Sequence, residues 1–251
     1  MSRWFWVLLL GGAVALAQDL DLPVHPDSAP VSSLTAGLKY AGTGVRRPDL
    51  TLPSDDPRDE PPPVFFGEEI ECEADRLVYV IDVSGSMGAH VIPPGGRYGD
   101  GTVYPTRLDG AKRELTRSIR GLTPSIQFDC VQFDCSTSWL WPKLRAASPE
   151  NKALACAWVE RLVRLGTTGT ARGMALGLGL DRACLSVVLL TDGAPNCGLQ
   201  DNTPDGHRTA INAYNTQRAM INVFGIAASG PMRAFCQQVA ADSGGSYYDV
   251  P

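Results

Sequence analysis

Residues 77–87 read Leu-Val-Tyr-Val-Ile-Asp-Val-Ser-Gly-Ser-Met. Five apolar residues in a row, three of them β-branched, run without a break into an acid and two hydroxyls set around a glycine. An uninterrupted apolar run of this length is a strand buried on both faces. A parallel sheet with helices on each side buries a strand in that way, so this stretch points to an α/β fold.

Working outward, residues 126–133, 185–190 and 221–227 are further strand-length runs rich in β-branched or large apolar residues. Stretches of helical period separate them. Leu108, Ala111, Leu115, Ile119 and Leu122 fall on one face of a helix that Thr106 caps. Ser148 and Pro149 start a second, with Leu154, Trp158, Leu162 and Leu165 as its apolar stripe. Helices are also expected over 171–180, over 206–220 behind an Asp205 cap, and over 231–241. Residues 137–141 read as a short antiparallel edge strand and 245–249 as the last strand. The expected architecture is α/β: a doubly wound, mostly parallel central sheet with one antiparallel edge strand and helices on both faces.

In such a sheet the loops leaving the carboxyl ends of the strands meet on one rim, where ligands bind. The first strand delivers Asp82, Ser84 and Ser86 there, and the 185–190 strand runs into Thr191-Asp192-Gly193. Hard oxygen donors from separate loops suit Mg²⁺, with Mn²⁺ and Ca²⁺ as alternatives, over metals that prefer soft ligands. Hydroxyl ligands leave most of a dication's charge unneutralised, so such a site seeks another anion.

Asp-Val-Ser-Gly-Ser-Met after an apolar strand, Thr-Gly-Thr at 168–170 with Ala175-Leu176 following, and Leu-Leu-Thr-Asp-Gly at 189–193 resemble the metal ion-dependent adhesion site of von Willebrand factor A domains. The resemblance spans about residues 76–251, with the three motifs in the family's order. It implies that Asp82, Ser84, Ser86, Thr170 and Asp192 form the metal site, with Thr167 and Thr168 as nearby rivals of Thr170. It further implies that hydroxyls bind the metal directly, that the aspartates act through water, and that a partner's glutamate or aspartate completes the shell.

One departure from the family's spacing is the Gly- and Pro-rich insertion over 88–105, which starts beside the expected metal. Loops on rigid rims carry specificity, so Arg97, Tyr98 and Tyr104 are candidate partner contacts.

The ends of the chain bear on location. Residues 1–17 read as a secretory leader, with Arg3, an apolar core and Ala15-Leu16-Ala17 before Gln18. The apolar run is shorter than the roughly 20 residues a membrane-spanning helix needs, so no membrane insertion is expected after cleavage, and the protein is expected to be secreted or periplasmic. Residues 18–75, rich in proline and acid around 53–63, read as a flexible linker, and 76–251 as the folded domain. The net charge of −5 offers nothing to attract nucleic acid. Seven cysteines in an exported chain favour disulfides, with one at least left over. No Cys-x-x-Cys occurs, and histidines lack metal-ligand spacing with the cysteines, which argues against zinc.

Three function classes follow. The favoured one is an exported, metal-dependent protein-binding module that captures a partner's carboxylate and is not an enzyme. A metal-dependent hydrolase using the same rim is an alternative, but no Gly-x-Ser-x-Gly elbow appears and His90 sits in the insertion. A structural scaffold subunit is the other.

Overall fold

The structure, a computed structural model, describes residues 61–70, 75–90, 106–184, 186–193 and 195–250. The leader, most of the linker, and Arg97, Tyr98 and Tyr104 lie outside the described residues.

The elements in order are β1 (Val64–Phe65), β2 (Glu68–Glu69), β3 (Arg76–Asp82), a 3₁₀ turn (Gly85–Gly88), α1 (Arg107–Gly121), β4 (Gln127–Phe133), β5 (Thr137–Trp139) and β6 (Arg145–Ala146). These are followed by α2 (Pro149–Glu160), α3 (Thr170–Leu180), β7 (Ser186–Thr191), α4 (Pro204–Tyr214), β8 (Met220–Ile226), α5 (Gly230–Ser243) and β9 (Tyr247–Val250). The main sheet runs β5-β4-β3-β7-β8-β9, with β6 also on β4. β3, β4, β7, β8 and β9 are parallel, while β5 and β6 are antiparallel to β4. The expected doubly wound sheet with an antiparallel edge is therefore present. Strand order reverses between β3 and β7, and the crevice at that switch is where such sheets place ligands.

The runs that looked uniformly apolar are so because both faces are covered. From Leu77 to Ile81, β3 is wholly inaccessible. Leu77, Tyr79 and Ile81 face one core with α1 and α2, while Val78 and Val80 face another with α3 and α5. Thr106 caps α1 as expected, and a full capping box forms with Asp109.

Three expectations differ from the structure. Of the stripe Leu154, Trp158, Leu162 and Leu165, Leu162 is buried and Trp158 packs against the core, but Leu154 and Leu165 are exposed, and Ala155 and Val159 are the buried residues of α2. Arg161 ends the helix, and the amide of Leu165 donates to the carbonyl of Val83 at 2.7 Å, so Leu165 belongs to a rim loop. The helix expected over 206–220 is α4, which ends at Tyr214, Met220 already opening β8, and which Thr203 rather than Asp205 caps; Asp205 sits in the first turn, where its charge suits the helix dipole. Residues 61–70, placed in the linker by their prolines and acids, form the β1–β2 hairpin. Phe65 and Ile70 are 1% exposed, and Phe65 meets Phe224 at 4.8 Å between ring centres.

One buried acid gives a pH prediction. Asp129 on β4 is inaccessible; its Oδ1 accepts from the amides of Cys130 and Trp141, and its Oδ2 has no hydrogen bond. Burial pushes its pKa up to about 7, against those two amides and the nearby charge of Arg145. A carboxyl raised in the folded state stabilises below its unfolded pKa and loses that contribution as pH rises through the folded one. Between pH 5 and pH 8 this residue's share of stability should fall by roughly 2–3 kcal/mol. Denaturant melts of Asp129→Asn should show that much less decline than the wild type. Parallel curves would refute the assignment.

Candidate metal and partner-binding rim

Asp82 ends β3 with both carboxylate oxygens engaged: Oδ1 accepts from the Ser84 amide at 2.8 Å and Oδ2 from the Thr191 hydroxyl at 2.6 Å. It is wholly buried, and burial, with the neighbouring charge of Asp192 adding to it, pushes its pKa up to about 7. Ser84 Oγ lies 3.1 Å from Ser86 Oγ, and Ser86 Oγ donates to Asp192 Oδ1 at 2.9 Å. Four of the five residues thus form a continuous polar chain across the β3–β7 switch.

Asp192 is not held by its own turn. The Gly193 amide donates to Thr191 Oγ1 at 3.0 Å, leaving the aspartate free to reach Ser86. Gly193 permits this with a φ of 103°, and a Cβ there would lie 3.0 Å from Met232.

Thr170 is the first residue of α3, and Gly169, not Thr170, is the N-cap. It is fully buried and its Oγ1 makes no hydrogen bond. No side-chain bond joins it to the other four. Backbone contacts bring its loop to theirs, with Gly85 N to Gly166 O at 3.0 Å and Leu165 N to Val83 O at 2.7 Å. Of the rivals, Thr167 is exposed, and Thr168 is tied through its backbone to Asn196. Among the three threonines only Thr170 has a buried hydroxyl without a partner.

The loop carrying Thr170 is clamped from both sides. Gly169 N donates to Asp134 O at 2.8 Å, and Thr168 O accepts from Asn196 N and Cys197 N. A Cβ on Gly169 would stand 2.6 Å from Asp134 O, so this approach requires glycine. The disulfide Cys135–Cys197 joins the two clamping loops. Beneath it, His207 accepts the Ala171 amide on Nδ1 at 3.1 Å, satisfying one of the orphan donors at the start of α3. Burial lowers the pKa of His207, with Asp201 opposing, which keeps the ring a neutral acceptor. Among the described residues Cys130 and Cys236 are free and buried, and Cys156 is free and half-buried.

Arg107 was not anticipated as part of the rim. From the first position of α1 its Nη1 reaches Asp192 Oδ2 at 2.8 Å. The available signal was an arginine where a helix dipole disfavours a cation. Thr191 was also missed, although it lies within the quoted motif. The insertion's roots are fixed at the rim: His90 and Thr106 pair as an antiparallel bridge, and Arg107 N donates to Ala89 O at 3.1 Å.

These residues fit a hard dication. An orphaned buried hydroxyl, two further hydroxyls and two buried carboxylates provide oxygen donors without a carboxylate cage. Among the described residues no group of three or more His, Cys, Asp or Glu is placed to hold a metal.

A family model described as von Willebrand factor type A domain matches residues 106–249. Asp82, Ser84 and Ser86 precede the matched span. A curated relative, the UPF0353 protein of Mycolicibacterium paratuberculosis, is 28% identical over 158 residues, 58% of this chain and 42% of that protein. The structure is similar to a von Willebrand factor type A protein from Catenulispora acidiphila, with a TM-score of 0.55 at 20% identity, covering 70% of this chain and 38% of that one. It is also similar to the PilB minor pilin from Streptococcus sanguinis, with a TM-score of 0.53 at 17% identity, covering 73% of this chain and 59% of that one. The chain therefore spans less than two thirds of each, and the structural likenesses show a shared fold.

Proposed function

The chain belongs to the von Willebrand factor type A domain family, and from that premise we propose that it is an exported module that captures a protein partner's aspartate or glutamate through a divalent cation, Mg²⁺ first. The observation that carries this reading is the Thr170 hydroxyl, buried without a hydrogen bond beside a rim of oxygen donors. A buried hydroxyl left unsatisfied costs on the order of 1–3 kcal/mol unless something else satisfies it.

Ser84, Ser86 and Thr170 would hold the cation through their hydroxyls, with Asp82 and Asp192 behind them. When bound, the cation supplies a Lewis-acidic position that a carboxylate can fill. Asp82 orients the Ser84 loop through its amide, and Thr191 fixes the carboxylate that does so. Ser86 and Asp192 hold one another across the strand switch. The leader-like sequence at 1–17 supports export, and a pilin among the structural neighbours is consistent with a protein-binding role.

The test is capture from the exported proteome on immobilised protein in Mg²⁺, followed by elution with a chelator. Specific proteins should elute, and a Thr170→Val column should retain none of them. Thr170→Val itself should fold and, without metal, be at least as stable as the wild type, because it replaces an unpaired buried hydroxyl with a methyl. Retention of the same proteins in chelator would contradict the proposal.

A further inference from the structure

Arg107 breaks a local rule. A cation in the first helical position opposes the helix dipole, where acids are favoured, and departures of this kind concentrate at functional sites. Its guanidinium donates to Asp192, whose side chain is 1% exposed, and among the described residues this is its ion-pair partner. Asp192 is thereby shared, with Oδ1 on Ser86 and Oδ2 on Arg107. The arginine is delivered rigidly by the capping box at Thr106 and Asp109.

The formal charges decide what this sharing does. Ionised around a cation, Asp82 and Asp192 together would carry two negative charges, so a dication alone would leave the cluster neutral and a partner's carboxylate would make it negative. Arg107 shifts every state by one positive charge. The metal-loaded cluster is then singly positive, and one carboxylate from outside brings it to neutrality.

We propose that Arg107 is a built-in counter-cation that tunes the site, loosening the metal while strengthening the metal-loaded site's hold on a partner carboxylate. This inference rests on the metal-dependent reading above. It makes Arg107 a specificity-determining residue that acts through Asp192. Both charges are largely removed from bulk water, so their interaction is poorly screened.

The signature is a pair of effects of opposite sign. Mn²⁺ binding is measured by electron paramagnetic resonance, and acetate is titrated into the Mn²⁺-loaded protein as a monocarboxylate probe. Arg107→Gln should bind Mn²⁺ about tenfold more tightly and acetate about tenfold more weakly than the wild type. Arg107→Lys, which keeps the charge, should restore both affinities toward wild-type values. Loss of both affinities in Arg107→Gln would mark a merely structural role and overturn the inference. So would no change in either, while wild-type Mn²⁺ binding remains sensitive to Asp82→Asn. A wild-type protein that binds no Mn²⁺ overturns the metal-dependent reading and this inference with it.

Discussion

Asp82→Asn should abolish stabilisation by Mg²⁺ while leaving the metal-free domain at least as stable as the wild type at pH 8. The asparagine oxygen can still accept the Ser84 amide, and the Thr191 hydroxyl can turn to accept from its NH₂ group. What disappears is the buried charge of Asp82 beside Asp192; burial has already pushed the Asp82 pKa up to about 7. Above that pH the wild type without metal carries an ionised carboxylate that the fold disfavours, and the amide removes this cost. With Mg²⁺ at a hundred times its dissociation constant, the wild type should gain about 2.7 kcal/mol. The variant should gain nothing measurable at the same concentration. Thermal melts across a Mg²⁺ titration provide the measurement. Equal shifts in both proteins would remove Asp82 from the site.

The second large effect concerns the Cys135–Cys197 bridge. Its partners are 62 residues apart, and a loop of that length restricts the unfolded chain by about 4 kcal/mol in the chain-entropy estimate. Replacing both cysteines with serine should therefore lower stability by as much as about 4 kcal/mol. A local effect should accompany the global one, because the bridge joins the loops that clamp Gly169 and Thr168. Hydrogen exchange at the amides of Thr168 and Gly169 should accelerate more than at β3, and Mg²⁺ affinity should fall with it. Unchanged exchange at those two amides would show that the hydrogen bonds from Asp134 and Asn196 hold the loop without the bridge.

The fold was legible because burial on both faces of β3 and β7 leaves an unmistakable apolar run, and because Thr106 and Ser148 advertise helix starts. Positions facing only one neighbour were harder to read. Leu154 and Leu165 look like core residues, but the small Ala155 and Val159 make the contact, and sequence does not say where Arg161 will end the helix. The hairpin at 61–70 was hidden because Pro61, Pro62 and its acids face outward, while Phe65 and Ile70, with Pro63, supply its buried anchors.

Of the site, the residues at strand tips could be placed from sequence, since a strand end fixes where its next residues emerge. The supports could not, because each depends on contacts between distant segments. Arg107 and Asp192 are 85 residues apart, Asp82 and Thr191 109, and Ala171 and His207 36. The disulfide partners were likewise undetermined among seven cysteines until the loops were placed.

The central claim is that oxygen-bearing side chains from three loops hold one hard cation whose remaining position faces outward. A crystal structure of the protein grown in Mn²⁺, with the ion located by its anomalous scattering, tests this most directly. The account predicts one ion at the β3–β7 switch, about 2.1–2.2 Å from the hydroxyls of Ser84, Ser86 and Thr170, with at least one coordination position held by exchangeable water. Thr170 still unpartnered, with no ion at that rim in millimolar Mn²⁺, would contradict it.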